Sequence, residues 1–323
     1  ESAAVNESVK LAKKLTRGLS GFVNAILRSV IREQDSIGIE DLAANDIEAI
    51  SFIYNIPLWL INLWIREFGR DKTEDLCAWF NEQPKLTARI NTILIDIPQC
   101  LTMLNEQGWA VTQDSNYEDI IYINSHRGSL EKSEAFIKGY ITFMDKASML
   151  VARLVNPQPG ECILDCCAAP GGKSIYMATL MNNVGSLMSC DIHEHKIELM
   201  NSNADRLGAS IVHTKVQDAT KLPDSWNSYF DRVLVDAPCS GLGILQKKLD
   251  MRWRKQESIL RELPPLQLAI LERAAMTVKE KGYLIYSTCT LNYKENEEVV
   301  ESFLQKHKEF SIIPVADDFP LKS

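Results

Sequence analysis

The strongest constraint in this chain begins at Gly160. From there, short apolar runs alternate with helical patterns. "ECILDCC" reads as a strand and "KSIYMATLM" as a helix, then "GSLMSCD" as a strand and "HKIELMNSNADRLG" as a helix closed by Gly208. "SIVHTKV", "FDRVLVDA" and "KGYLIYSTC" are three further strands, with the helix "PPLQLAILERAAMTVKE" between the last two. Strands that are apolar on both faces and alternate with helices predict a parallel sheet in a doubly wound, Rossmann-like α/β domain. Such sheets bind ligands at the carboxyl ends of their strands. The residues able to do chemistry collect there: Asp165 and a glycine loop follow the first strand, Asp191 ends the second, Asp218 follows the third, Asp236 ends the fourth, and Cys289 follows the fifth.

The loop "CCAAPGGKS", residues 166–174, closes like a phosphate-binding P-loop. That motif needs an earlier glycine where this chain has Cys167. Without it the turn that wraps backbone N–H groups around phosphate is not supplied. An acidic residue ending the second strand, here Asp191, is the arrangement that hydrogen-bonds ribose hydroxyls, so the expected ligand carries a nucleoside. Repeated carboxylates suit a ligand with hydroxyl, amino and cationic groups better than a polyphosphate. S-adenosylmethionine has all three, whereas NAD would prefer a G-x-G-x-x-G loop. One such aspartate is commonly a turn or loop cap; four at successive strand ends are poorly explained that way.

The remaining composition is that of an ordinary globular chain: 323 residues, 46% hydrophobic and 24% charged. The most apolar stretch, Ile56 to Ile65, contains Asn62 and is too short for a membrane span. No signal peptide is visible at the start. None of the eight cysteines has C-x-x-C spacing, so neither zinc nor a disulfide framework is suggested, and a reducing cytoplasmic setting is expected. The net charge of −8 argues against a non-specific nucleic-acid binder.

Ahead of the sheet, the first 32 residues read as helices, with Phe22, Val23, Ile26, Leu27, Val30 and Ile31 at helical spacing. Their basic residues Lys10, Lys13, Lys14, Arg17, Arg28 and Arg32 read as a solvated face, with an RNA contact as the alternative. "DSIGIEDLAAND" reads as a polar linker. Pro57 and Gly69 bracket a helix with the stripe Trp59, Leu60, Leu63, Trp64 and Phe68. From Leu86 to about Tyr140, "LTARINTILI" and "DIIYINS" look like strands and "PQCLTMLNEQG" like a helix, suggesting a small α+β subdomain.

Cys239, in "DAPCSG", and Cys289, in "STCT", each stand just beyond a strand. Alone, each is more often an inert buried thiol than a nucleophile; two at adjacent strand ends, facing an adenosyl ligand, shift the balance toward chemistry. His193 and His195 have no third ligand spaced nearby, and an exposed helix start explains them, so no metal is expected.

"LDCCAAPGGKS", "VLVDAPCSGLG" and "YSTCTLNYKENEEVV" together resemble the RsmB/Sun family of RNA cytosine-5 methyltransferases over roughly Ile56 to Leu304. "SVKLAKKLTRGLSGFVNAILRSV" resembles the last helices of the NusB-like domain that precedes the catalytic unit in the ribosomal branch. The resemblance implies the end of a NusB-like domain over 1–36, a helical linker with a small α+β RNA-binding subdomain over 37–145, and an S-adenosylmethionine-dependent catalytic domain over 146–323. It implies small-subunit ribosomal RNA as partner, with a cytosine-967 type of target in 16S RNA, a monomer, and no membrane. Transfer RNA, or a catalytically silent assembly factor, are the competing expectations.

By the same resemblance Cys289 matches the nucleophile, Cys239 the cysteine that helps release the methylated base, and Asp236 the contact to the cytosine edge. The loop Cys167, Ala168, Ala169, Pro170, Gly171, Gly172 and Lys173, with Asp191, Asp218 and Asp236, matches the cofactor contacts. Leu242 stands where the family often has threonine, and "QKKLD" replaces its usual "RRHPD". "QKKLDMRWRK" gathers Lys247, Lys248, Arg252, Arg254 and Lys255 around Trp253; this is either an RNA-facing loop or a solvated loop with Trp253 in the core. The chain is expected to begin partway through the NusB-like part and to stop at "DDFPLKS", before the family's closing strands.

Overall fold

The computed structural model describes residues 2–16, 18–33, 45–315 and 319. Arg17, the linker residues 35–44 and most of the closing "DDFPLKS" lie outside the described residues. Two compact units form, one ending at Asn81 and one starting at Glu82.

The first unit consists of helices Ser2–Leu15, Ser20–Glu33, Asp46–Tyr54, Leu58–Phe68 and Arg70–Asn81. The Asn45 side chain caps the third, accepting from the Ile47 and Glu48 N–H groups at 3.0 Å. Pro57 and Gly69 bracket the fourth, as expected. Its buried stripe is Leu60, Ile61, Leu63 and Trp64, and Trp64 stacks on Phe80 at 5.4 Å. Phe68, expected in that stripe, is instead 38% exposed: it occupies the last turn, beyond the part of the helix that the neighbours cover. Among the described residues no single helix is long and apolar enough to cross a membrane.

The second unit contains two sheets. Strands β1 (Thr87–Ile90), β2 (Ala110–Gln113), β3 (Ile120–Ser125) and β4 (Ile141–Phe143) make an antiparallel sheet ordered β2-β3-β1-β4. Helix Ile97–Glu106 packs beside it, as expected for an α+β element. β1 is shorter than "LTARINTILI" because Asn91 leaves the ladder. Its buried amide donates to the Gly139 carbonyl at 3.0 Å and the Leu207 carbonyl at 2.8 Å.

β5 (Cys162–Asp165), β6 (Ser186–Asp191), β7 (Val212–Val216), β8 (Phe230–Asp236) and β9 (Val278–Ser287) form a wholly parallel sheet ordered β7-β6-β5-β8-β9. The order runs outward from β5 in one direction and from β8 in the other. Between them lies the switch point where doubly wound sheets open a crevice. The expected fold class holds. One boundary needs correction: the helix placed over "PPLQLAILERAAMTVKE" spans Ile259–Ala275, with Pro264 and Pro265 inside it. Burial of Leu260, Gln267, Ile270, Leu271 and Ala274 outweighs the backbone bonds two prolines forgo. Val278 to Glu280, expected as helix, open β9 instead.

A buried polar network ties the small sheet to the large one. The Tyr176 hydroxyl donates to Asp119 Oδ2 at 2.7 Å, Arg153 Nη2 pairs with Asp119 Oδ1, and the Arg89 guanidinium lies 4.9 Å over the Tyr176 ring. Tyr176 sits on helix Gly172–Leu180, directly after the glycine loop. Tyr176→Phe strands a buried carboxylate oxygen and is expected to cost about 1–3 kcal/mol of stability; a denaturant midpoint equal to that of the parent would show that Asp119 does not need this donor.

Candidate active site

The glycine loop leaves β5 at Asp165 and returns to the sheet quickly. Cys166 N–H donates to the Leu234 carbonyl at 2.9 Å and Ala168 N–H to the Cys190 carbonyl at 2.8 Å. The turn closes with Gly171 N–H on the Ala168 carbonyl at 2.7 Å, and Gly171 takes φ 95°, which a side chain resists. Helix Gly172–Leu180 then begins. In a P-loop the lysine reaches the phosphates; here Lys173 Nζ is engaged by Asp236 Oδ2 at 2.6 Å. The ion pair bridges β8 and the loop across the switch point. Asp236 Oδ1 accepts from Ser287 Oγ at 2.8 Å, which fixes the carboxylate from β9.

Asp165 is fully buried and accepts from Ser174 Oγ at 2.7 Å through Oδ2. Burial pushes its carboxyl up to about 7, and the nearby Asp236 adds to that; the Ser174 bond and Lys173 oppose it. Asp191, at the end of β6, accepts from His193 N–H at 3.0 Å and lies 3.6 Å from Lys196 Nζ. Asp218, after β7, is held below the usual carboxylate range by the Thr220 hydroxyl and N–H, at 2.7 and 2.9 Å.

Beyond β8 and β9 the two cysteines meet. Cys239 Sγ lies 3.0 Å from Cys289 Sγ and accepts from the Cys289 N–H at 3.3 Å. A hydrogen bond from Cys239 draws the Cys289 thiol below its ordinary range, and the same bond, with burial, drives Cys239 up. The two thiols therefore titrate as a pair, with the thiolate favoured at Cys289.

One cavity of about 360 Å³ joins these pieces. Cys167, Ala169, Asp191, Asp218, Asp236, Cys239 and Cys289 line it. Ala168, Pro170, Gly171, Gly172 and Lys173 shape the loop behind it rather than the lining, Lys173 acting through Asp236. Sequence reasoning missed Ile192, Lys196, Gln217, Thr220, Leu266 and Ile270. Ile192 had a signal: an apolar residue, 59% exposed, directly after the acidic strand end. Leu266 and Ile270 had none, since helical periodicity does not say which end of the sheet a residue overlooks. A cavity of this size suits a nucleoside-sized ligand, with carboxylate acceptors at Asp191 and apolar cover from Ile192, Leu266 and Ile270. The His193 and His195 rings lie tilted with centres 5.6 Å apart; among the described residues no cluster fit for a metal ion occurs. Trp253 is 60% exposed, which overturns its placement in the core, whereas its neighbour Arg252 is buried.

A parallel sheet that reverses between β5 and β8, with carboxylates at the ends of successive strands around one cavity, defines a Rossmann-like methyltransferase. The fold matches a methyltransferase homologue protein from Pyrococcus horikoshii with TM-score 0.72 and 24% identity, over 81% of this chain and 83% of that one. The family model "16S rRNA methyltransferase RsmB/F" matches residues 152–321, its ferredoxin-like domain matches 56–128, and the NusB family matches 1–32. The chain is 38% identical to the probable ribosomal RNA small subunit methyltransferase B of Bacillus subtilis, covering 96% of this chain and 69% of the relative. It is 30% identical to ribosomal RNA small subunit methyltransferase B of Serratia proteamaculans, covering 96% and 71%. The chain belongs to the RsmB/F family of 16S rRNA methyltransferases.

Proposed function

We propose that this enzyme methylates carbon 5 of a cytosine in small-subunit ribosomal RNA, of the cytosine-967 type, through a covalent adduct with Cys289. The observation that carries the reading is the sulfur pair: two thiols 3.0 Å apart at the rim of the cofactor-sized cavity, one of them acidified by the other. Carbon 5 of cytosine is a poor nucleophile. Addition of the Cys289 thiolate to carbon 6 makes the ring an enamine, so one hard step becomes two easier ones. S-adenosylmethionine, held by Cys167 and Ala169 of the glycine loop with Asp191 and Asp218, would supply an electrophilic methyl group.

Asp236, held by Lys173 and Ser287, accepts from the exocyclic amino group and orients the base, while the Lys173 ammonium paired with it offsets the negative charge that thiolate addition places on the ring. Once Cys289 is a neutral thioether, the anion that opposed ionisation of Cys239 is gone. Cys239 can then release its proton to water and, as a thiolate, take the carbon-5 proton, and the freed electron pair expels the Cys289 thiolate. The chain divides for this work into the NusB-like end (1–36), the linker and RNA-binding subdomain (37–145) and the catalytic domain (146–323), acting as a monomer in the cytoplasm. The exposed Trp253, with Lys248 and Lys255 nearby in sequence, offers a stacking and phosphate-binding surface for the RNA.

Two measurements bear on this. Incubation with methyl-labelled cofactor and unmodified small-subunit RNA should give labelled 5-methylcytidine on nucleoside digestion; label on the exocyclic amine or the ribose would overturn the reading. Asp191→Ala should weaken cofactor binding by about 1 kcal/mol for each ribose hydrogen bond lost. Calorimetry of the folded variant reads this, and unchanged affinity removes Asp191 from the cofactor contacts.

A further inference from the structure

Glu295 is completely buried, and its carboxylate meets four donors. Oε2 accepts from the Ser240 N–H at 2.8 Å and from Gln267 Nε2 at 2.9 Å; Oε1 accepts from Asn292 Nδ2 at 3.0 Å and from the Ser240 hydroxyl. Ser240 follows Cys239, and Asn292 stands in the loop after Cys289. Ser240 Oγ also lies 2.8 Å from Thr290 Oγ1, next to Cys289. Gln267 donates in addition to the Pro238 carbonyl at 2.9 Å, on the other side of Cys239. Ser240, Gln267 and Asn292 are all fully buried. A further seam runs beside this hub, where Gly243 N–H donates to the Cys289 carbonyl at 2.9 Å. A Cβ at Gly243 would stand 2.9 Å from that same oxygen, so the seam needs glycine. Neither loop is a strand, and their sulfurs meet only if these loops are fixed to each other.

We propose that Glu295 is a positioning residue for the methyl transfer: from full burial it locks the Cys239 loop to the Cys289 loop and so holds the two sulfurs at hydrogen-bonding distance. The proposal rests on the covalent cysteine reading above. A carboxylate suits the task because it accepts up to four hydrogen bonds and donates none. An amide in its place turns one acceptor into a donor facing Ser240 and Asn292 or Ser240 and Gln267, which opens the clamp.

The charged and titratable groups about Cys289 are Cys239, Asp236 and Lys173, and Tyr286 on β9 donates its hydroxyl to the Glu295 carbonyl at 2.7 Å while also facing Cys239. Glu295 holds the Cys239 side through Ser240 and the Cys289 side through Asn292, so what it sets is the contact between the two sulfurs. That makes the test a double-mutant cycle on thiol reactivity, run on the full chain without RNA or cofactor, so that it reads the clamp whether or not methylation proceeds through Cys289. The rate of iodoacetamide alkylation at Cys289 is followed across pH by peptide mass. Glu295→Gln should lower that rate at neutral pH roughly three- to tenfold, the worth of one hydrogen bond, and move the profile to higher pH. Cys239→Ala should do the same, and adding Glu295→Gln to it should change little more. In turnover, Glu295→Gln should lower kcat with the KM for RNA unchanged. If Glu295→Gln fails to fold, Ser240→Ala, which removes one donor and leaves the carboxylate, should give a smaller shift in the same direction. A parental alkylation profile in Glu295→Gln, or in Ser240→Ala where only that variant folds, overturns the proposal. So does a Glu295→Gln effect of equal size with and without Cys239.

Discussion

Cys239→Ala is expected to accumulate a protein–RNA complex that survives denaturing electrophoresis, while Cys289→Ala gives neither that complex nor methylated RNA. The asymmetry follows from the thiolate being favoured at Cys289. Cys289 is exposed at the rim, drawn toward its thiolate by Cys239 at 3.0 Å, and is the sulfur able to attack. Removing it should drop methylation to below about a thousandth of the parent rate, the scale seen when a covalent nucleophile is lost. Removing Cys239 leaves attack and methyl transfer possible but takes away the group that accepts the carbon-5 proton. The complex then waits at the methylated adduct. The Cys289 pKa is lowered, and it is the deprotonated form that attacks, so single-turnover methylation should hold down to that lowered value and fall at lower pH. In Cys239→Ala the pH dependence of adduct formation should move upward, because the donor that favours the thiolate is missing. A stable complex from Cys289→Ala and none from Cys239→Ala would exchange the two roles.

Asp236→Asn should be nearly as damaging, for a different reason. The carboxylate is held at both oxygens, by Lys173 Nζ at 2.6 Å and Ser287 Oγ at 2.8 Å, in a crevice where its position is set before substrate arrives. The amide keeps the shape but puts an N–H group against a donor and ends the ion pair with Lys173. Losing one preorganised electrostatic contact of this kind costs about 10²–10³ in kcat. Single-turnover methylation reads the effect. Cofactor affinity should fall much less than in Asp191→Ala, since Asp236 ends β8 beside the sulfur pair and Asp191 ends β6. Equal methylation rates for Asp236→Asn and the parent would take Asp236 out of the chemistry.

Periodicity was sufficient for the inner strands β5, β6 and β8, which are largely buried on both sides, whereas β7 and the start of β9 are partly exposed and were legible from their alternation with helices. The strand-end aspartates were legible for the same reason: a polar residue closing an apolar run marks where the sheet stops. The helix Ile259–Ala275 was misjudged at its start and end because local rules put a boundary at Pro264, while burial of Leu260 ahead of it decided otherwise. The contact between Cys239 and Cys289 could not be read from spacing. It depends on β8 and β9 being neighbours and on two loops meeting beyond them, which is a property of strand order. Glu295 was invisible for a related reason. Any one of the three glutamates in "NYKENEEVV" looks solvated, and only the converging Ser240, Gln267 and Asn292 give Glu295 a place inside.

The most direct measurement is peptide-level mass analysis of the complex trapped with Cys239→Ala after nuclease and protease digestion. The peptide carrying Cys289 should bear a single cytidine nucleotide whose base has gained a methyl group. A nucleotide on any other residue, or no covalent nucleotide while methylation proceeds, would contradict attack by Cys289.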